Sequence, residues 1–391
     1  MAGWQEAVKP HVDAGKLAVI GVVQEQHADR ARLYKQWKKI DWPIYIDALN
    51  TLGLSVVPVP LGVDESGVIR LEGATKEGVR EFVEKEFPKT QAAGRRAEKP
   101  DLASLTSPRD RGDFHFLYDE SPAAPDRAVK AYQEAVDSDP KDARSQFKLG
   151  VAFRARYDTP RRLSGDVQRA VEHWQQALAL SPNMYIWRRR LQQFGPRLDK
   201  PYDFYFWVEE ARRDLLARGE QPVELAAEPA GSEVAPPSKG PSAAAPAIPD
   251  PDPRGKIIRD RGLVTLEPSV IPARVRPGGR IRVRVAFRLG SKAKPHWNNE
   301  SDPLTLSVKL PEGLTLIEGT FVHAKPKEAE SLELRILEFE AAVGEGVKTG
   351  TIEIGGYALY DVCEEVGGVC RHLRQDLTIP FAVDPSAAKL Q

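Results

Sequence analysis

The sequence predicts a multidomain protein in which an α/β unit, an all-α helical repeat and an all-β sandwich follow one another. Three observations carry this. Apolar β-branched runs alternate with helical stripes over residues 1–90, a helical segment starting at Ala128 recurs at Ala170, and runs of period two take over from Gly262. At 391 residues the chain also exceeds what one hydrophobic core spans.

Composition excludes several classes. Lys+Arg and Asp+Glu both number 56, so the net charge is zero and the basic footprint of a nucleic-acid binder is absent. Apolar runs such as Leu54 to Val63 fall far short of the roughly 20 residues of a membrane span. The first residues carry acids, Pro10 and His11 where an export signal has basic residues and an apolar stretch. Phosphate-loop, nucleophile-elbow and His-Glu-x-x-His patterns are absent, and no cofactor is expected.

In the first unit, residues 1–90, Leu17 to Gln24 reads as a buried strand between helices at Trp4 to Val12 and Ala28 to Ile40. Pro43 to Ile46 is a second strand. Leu54 to Val63 and Ile69 to Leu71 read as two more, joined by the turn Asp64 to Gly67, and Thr75 caps a closing helix that runs to about Phe87. Val57-Pro58 before an apolar strand, the strand-turn-strand VDESGVI and the amphipathic closing helix resemble a thioredoxin-like domain of the peroxiredoxin and thiol-reductase type. The resemblance implies a cis peptide at Pro58, with Pro60 as second choice. Its first strand and Cys-x-x-Cys helix have no counterpart, because no cysteine precedes Cys363. The unit is therefore expected to be a degenerate scaffold, or a domain whose opening strand and export signal lie upstream of Met1.

Glu25 and His27 follow the first strand, at the carboxyl end where open α/β sheets place ligands. Two readings apply. They line a pocket, or they cap and hydrogen-bond the following helix while Trp37 and Trp42 fill the core, and the second is preferred.

Residues 91–125 turn polar without periodicity and read as a linker. In residues 126–220, AVKAYQEAVDSDP (Ala128 to Pro140) returns as AVEHWQQALALSP (Ala170 to Pro182). Gln146, Leu149, Gly150 and Phe153, with Ala170, Trp174, Ala177 and Pro182, resemble the two helices of a tetratricopeptide unit, and Tyr185 to Arg218 would cap the stack. So short an array reads first as a packed spacer and second as a groove for a peptide ligand. Residues 221–261 are rich in Pro, Ala, Gly and Ser and predict a flexible tether that lets the last unit swing freely.

From residue 262 to 385, short alternating runs punctuated by Pro277 to Gly279 and Pro311 to Gly313 predict an antiparallel sandwich of immunoglobulin-like topology. In Arg280 to Phe287 basic and apolar residues alternate strictly, so the arginines are expected on a solvated face. Cys363 and Cys370, the two cysteines of the chain, flank six residues containing Gly367-Gly368, and a reversal there brings them within reach of a disulfide.

His296-Trp297-Asn298, the strand Leu306 to Leu316, Tyr360-x-x-Cys363 through Cys370, and Ile379-Pro380 resemble the N-terminal domain of the thiol:disulfide interchange protein DsbD family. The resemblance covers about 120 residues. It implies an extracytoplasmic thiol-disulfide exchange protein whose Cys363–Cys370 pair exchanges with a thioredoxin-like or other thiol protein through a mixed disulfide at one of the two sulfurs. Tyr360, Arg371 and His372 are supporting candidates. Arg371, His372 and Arg374 follow Cys370 while Glu364 and Glu365 follow Cys363, so charge alone makes Cys370 the more readily ionised thiol. A zinc site on Cys363, Cys370 and His372 is disfavoured by the spacing. The competing function is a non-catalytic interaction protein with a structural hairpin disulfide.

Overall fold

The computed structural model describes residues 2–73, 75–88, 98–196, 207–225, 250–252, 254–365 and 368–388. The chain is multidomain and mixes helices with several sheets.

The N-terminal unit runs α1 (Ala2–Asp13), β1 (Gly21–Val23), α2 (Ala28–Lys38), β2 (Ile44–Ile46), β3 (Leu61–Val63), β4 (Ile69–Glu72) and α3 (Lys76–Glu84). β1 pairs with β2 in parallel and β3 with β4 antiparallel, as two separate two-stranded sheets. Thr75 caps α3, its hydroxyl accepting from Gly78 N at 3.1 Å. The Val57–Pro58 peptide is cis. The expected buried strand at 17–24 is short and partly wet: Ile20 is 60% and Val22 45% exposed, because a parallel strand is buried on both faces only inside a larger sheet.

The helical unit comprises α4 (Pro108–Leu117), α5 (Ala124–Ser138), α6 (Ala143–Tyr157), α7 (Asp166–Leu180), α8 (Tyr185–Gln192) and α9 (Trp207–Ala217). α4 lies inside the stretch expected to be a linker. Ser107 caps it and Pro108 opens it, and its glycine lets it press against α5, so its polar composition concealed a packed helix. A Cβ on Gly112 would stand 2.5 Å from the Tyr132 ring, and one on Gly150 would stand 2.5 Å from the Trp174 ring. The same small-against-large contact thus recurs in α4/α5 and α6/α7. α8 continues the stack through Trp187, which stacks on Phe147 at 4.9 Å. α9 does not cap it: Val208, Ala211 and Leu215 pack with Leu33 and Trp37 of α2, and Trp37 Nε1 donates to Asp214 at 2.9 Å.

The C-terminal unit folds as two sheets around one core. One holds β5 (Ile258–Arg259), β7 (Arg274–Val275), β9 (Pro295–Asn298), β10 (Thr305–Lys309), β12 (Glu330–Ser331), β14 (Gly350–Glu364) and β15 (Cys370–Val383). The other runs β11 (Leu314–Thr320), β13 (Arg335–Val343), β8 (Arg280–Leu289), β6 (Val264–Ile271). Between them lie Ile281, Val283, Phe287, Trp297, Tyr360 and Val362, all fully buried.

Two expectations about this unit are corrected. The arginines of β8 do not face water: Arg282 and Arg284 are each 2% exposed, because the helical unit covers that face. Arg282 pairs with Glu338 and Glu340, and Gly195, at φ +117°, lies against its aliphatic stem. Burial, partly offset by Tyr157 and Glu338, brings the Arg284 guanidinium down to about 10. Strand alternation separates two faces but says nothing of what covers the second.

Nor does the unit swing freely. Gln168 Oε1 accepts from Val270 N at 2.9 Å, Gln175 Oε1 accepts from Arg274 N at 2.9 Å, and Ile271 and Ala273 join the helical core. The ends of the predicted tether are also held. Val223 N donates to Gln36 at one end, and Asp250 meets Arg374 at 2.6 Å at the other; residues 226–249 lie outside the described residues.

Candidate functional site

β14 and β15 form one long hairpin whose register ends on Cys363 opposite Cys370. The two are joined by a disulfide, with their Cα atoms 3.9 Å apart. Past them Glu364 N donates to the carbonyl of Val369 at 3.2 Å, which closes the reversal; Gly367 lies outside the described residues. Ala358, Tyr360 and Val362 point into the core, so Cys363 lies on the outer face by alternation. It is nonetheless buried at 5% exposure, whereas Cys370 is exposed.

β9 runs along the other side of β14 and sets His296 opposite Cys363. Trp297 turns inward, fully buried, and donates from Nε1 to Glu333 O at 2.8 Å, which holds His296 on the outer face. His296 Nε2 stands 3.3 Å from Glu330 Oε1. This neighbour was missed as a functional residue, although the alternation of His296 and Trp297 beside an edge strand carried the signal.

The supporting candidates separate. Tyr360 is not beside the disulfide; it is 1% exposed in the core, edge-on to Trp297, and its hydroxyl donates to Asp260 at 2.7 Å. Burial and that carboxylate push its phenol well above the ordinary range. A spacing of three from Cys363 on a strand places the two on opposite faces. His372 does share the outer face, with Nδ1 3.0 Å from Asp361 Oδ2, and Arg371 pairs with Glu364 at 3.2 Å. Arg374 is held between Asp250 and Asp376. The basic residues following Cys370 thus meet carboxylates, which weakens the charge argument for its ionisation and leaves exposure as the difference between the two sulfurs.

Glu25 and His27 lie where the N-terminal unit meets the helices. Glu25 is 3.6 Å from Arg30, and His27 Nε2 is 3.5 Å from Asp158. His27 precedes α2 without a side-chain cap bond, while Glu25 meets Arg30 of that helix and Trp37 is buried. Burial, with Arg154, Arg190 and Arg30 nearby, brings its imidazole down to about 3. Beside it the buried Arg190 donates to Gln26 Oε1 at 2.7 Å and Gln24 O at 2.8 Å. Ala48 and Leu49 enter the helical core, and Ile186 N donates to Ser55 O at 3.3 Å. The chain's own residues therefore cover part of the α6 and α8 surface, in the module whose second reading is a groove for a peptide ligand.

A separate open pocket of about 290 Å³ lies at α4, lined among others by Lys99, Phe114, His115, Tyr118, Asp119 and Arg127. Its charges are satisfied internally, His115 and Arg127 both on Asp119 and Lys99 on Tyr118 O. Among the described residues no three His, Cys, Asp or Glu side chains are grouped to hold a metal ion, and no helix is long and apolar enough to cross a membrane.

No family model and no curated protein matches the chain. Among solved structures, the chain is similar to AvmM, which catalyses macrocyclization in alchivemycin A biosynthesis, at 13% identity over 32% of this chain and 89% of that one, with a TM-score of 0.18. It is also similar to AggA, the major subunit of aggregative adherence fimbriae type I from Escherichia coli, at 11% identity over 33% of this chain and 99% of that one, with a TM-score of 0.17. Likeness at that level carries no functional argument.

Proposed function

We propose that the chain is an extracytoplasmic thiol-disulfide exchange protein whose Cys363–Cys370 bond reacts with a thioredoxin-like partner. The observation that supports this most is the asymmetry of the pair: an exposed Cys370 bonded to a buried Cys363 at the open end of a hairpin. A visiting thiolate reaches Cys370 Sγ first. Its attack forms a mixed disulfide there and breaks the internal bond, whose electron pair leaves on Cys363 Sγ. The partner's second thiolate then attacks its own bonded sulfur and releases Cys370. The partner leaves as a disulfide, and this chain holds two thiols.

The finer architecture belongs to the same reading. A thioredoxin-like N-terminal scaffold is supported by the element order. A tetratricopeptide-like stack is supported by the repeated glycine-aromatic contact, and a DsbD-like immunoglobulin sandwich by two sheets around one core with the cysteines on a hairpin.

Equilibration with glutathione redox buffers, followed by thiol trapping, tests the proposal. A working pair equilibrates between roughly −180 and −270 mV, and a value below about −300 mV would overturn exchange in favour of a structural staple.

A further inference from the structure

We infer that His296 stabilises the Cys363 thiolate, and so sets how readily Cys363 leaves when the disulfide is attacked. The inference rests on the exchange reading and deepens it at the same site.

Register supplies the geometry. His296 and Cys363 are directly opposed on antiparallel strands and share the outer face, a relationship that sets Cβ atoms about 4.5–5.5 Å apart. Burial supplies the need. Cys363 is 5% exposed and the His296 side chain 15%, so a thiolate formed there is poorly hydrated and requires a compensating charge or hydrogen bond.

Charged groups on the strands flanking the pair meet opposite charges. Asp361 on β14 meets His372 on β15, Glu364 on β14 meets Arg371 on β15, and Lys294 before β9 meets Glu365 at 3.3 Å. Glu330 on β12 meets His296, but its side chain is 69% exposed, and water screens a pair of that kind. An imidazolium at 296 therefore faces the leaving sulfur with an anchor that competes weakly for its charge.

When a partner thiolate attacks Cys370 Sγ, the electron pair of the broken bond collects on Cys363 Sγ beside this cation. No proton has to cross from solvent.

The test uses the full chain with Cys370→Ser, which leaves Cys363 as its lone thiol. Thiolate absorbance near about 240 nm is followed from about pH 4 to 9, with and without His296→Gln. His296→Gln is expected to raise the ionisation midpoint of Cys363 by about one pH unit, which is about tenfold less thiolate at a given pH below it. His296→Lys restores a cation without the ring and is expected to return the midpoint toward that of the parent. Equal midpoints in parent and His296→Gln, or a midpoint raised equally by Gln and Lys, would overturn the inference. Failure of the exchange reading would appear instead as a redox potential outside the working range in the two-cysteine protein.

Discussion

Gln175 holds both main-chain polar groups of Arg274, its Oε1 accepting from the amide at 2.9 Å and its Nε2 donating to the carbonyl. One side chain on α7 thereby does for β7 what a neighbouring strand would do. Gln168, two turns earlier on the same helix, does half of this for Val270. The sandwich is thus docked through backbone groups that would otherwise be buried without partners.

Replacing both glutamines by alanine leaves those amides unpaired, at about 1–3 kcal/mol for each buried group. The expected result is hydrogen exchange at Val270 and Arg274 accelerated by at least about tenfold, with the strands of β14 and β15 unchanged. Unaltered protection at both amides would mean that the apolar contacts of Ile271 and Ala273 alone hold the units together.

The repeated glycine contact makes a second prediction. Gly150→Ala drives a methyl into the Trp174 ring, and Gly112→Ala does the same at Tyr132. Overpacking of this kind costs about 1–3 kcal/mol, so each variant should lower the denaturation midpoint of the helical signal. Gly346, with open space around its Cβ position, is the control and should stay close to neutral when changed to alanine. Equal midpoints for Gly150→Ala and Gly346→Ala would show that the helices separate enough to absorb the methyl.

What could be read from the sequence follows from what each signal measures. Ala128 and Ala170, in matching segments, exposed the α5/α7 repeat because helix-helix contact demands small residues at fixed spacing. α4 escaped because Arg109, Asp110, Arg111 and Asp113 mask its apolar side; its partner in the repeat is recognised by Gly112, not by periodicity. The hairpin and its cysteines were legible from Tyr360 to Phe381, since strand period and turn glycines are local. Arg282, Arg284 and His296 were not, because the helical unit covers the first two and β9 reaches the disulfide across some 67 residues of chain, from His296 to Cys363. Contacts between units leave no period in either sequence.

The buried imidazoles make the third prediction, on pH. His27 is brought down to about 3 by burial and three arginines, and His173, stacked on Phe153, to about 4 by burial and Arg169. Both are therefore neutral in the folded protein at pH values where an unfolded histidine, titrating near 6.5, takes up a proton. Below about 6.5 the unfolded chain binds more protons than the native one, so stability is full above that value and falls as pH drops toward the folded values. Between pH 6.5 and 5 the loss is about 2 kcal/mol per histidine, before the carboxylates begin to titrate. Asp158 beside His27 acts in the opposite sense only lower down, since burial raises its carboxyl and protonation then favours the fold. Thermal unfolding at pH 7 and pH 5 should show a drop of several degrees in the parent and a smaller drop in His27→Gln/His173→Gln. Parallel pH dependence in the two proteins would mean that these rings reach water before unfolding, and that the contact between the N-terminal unit and the helices opens first.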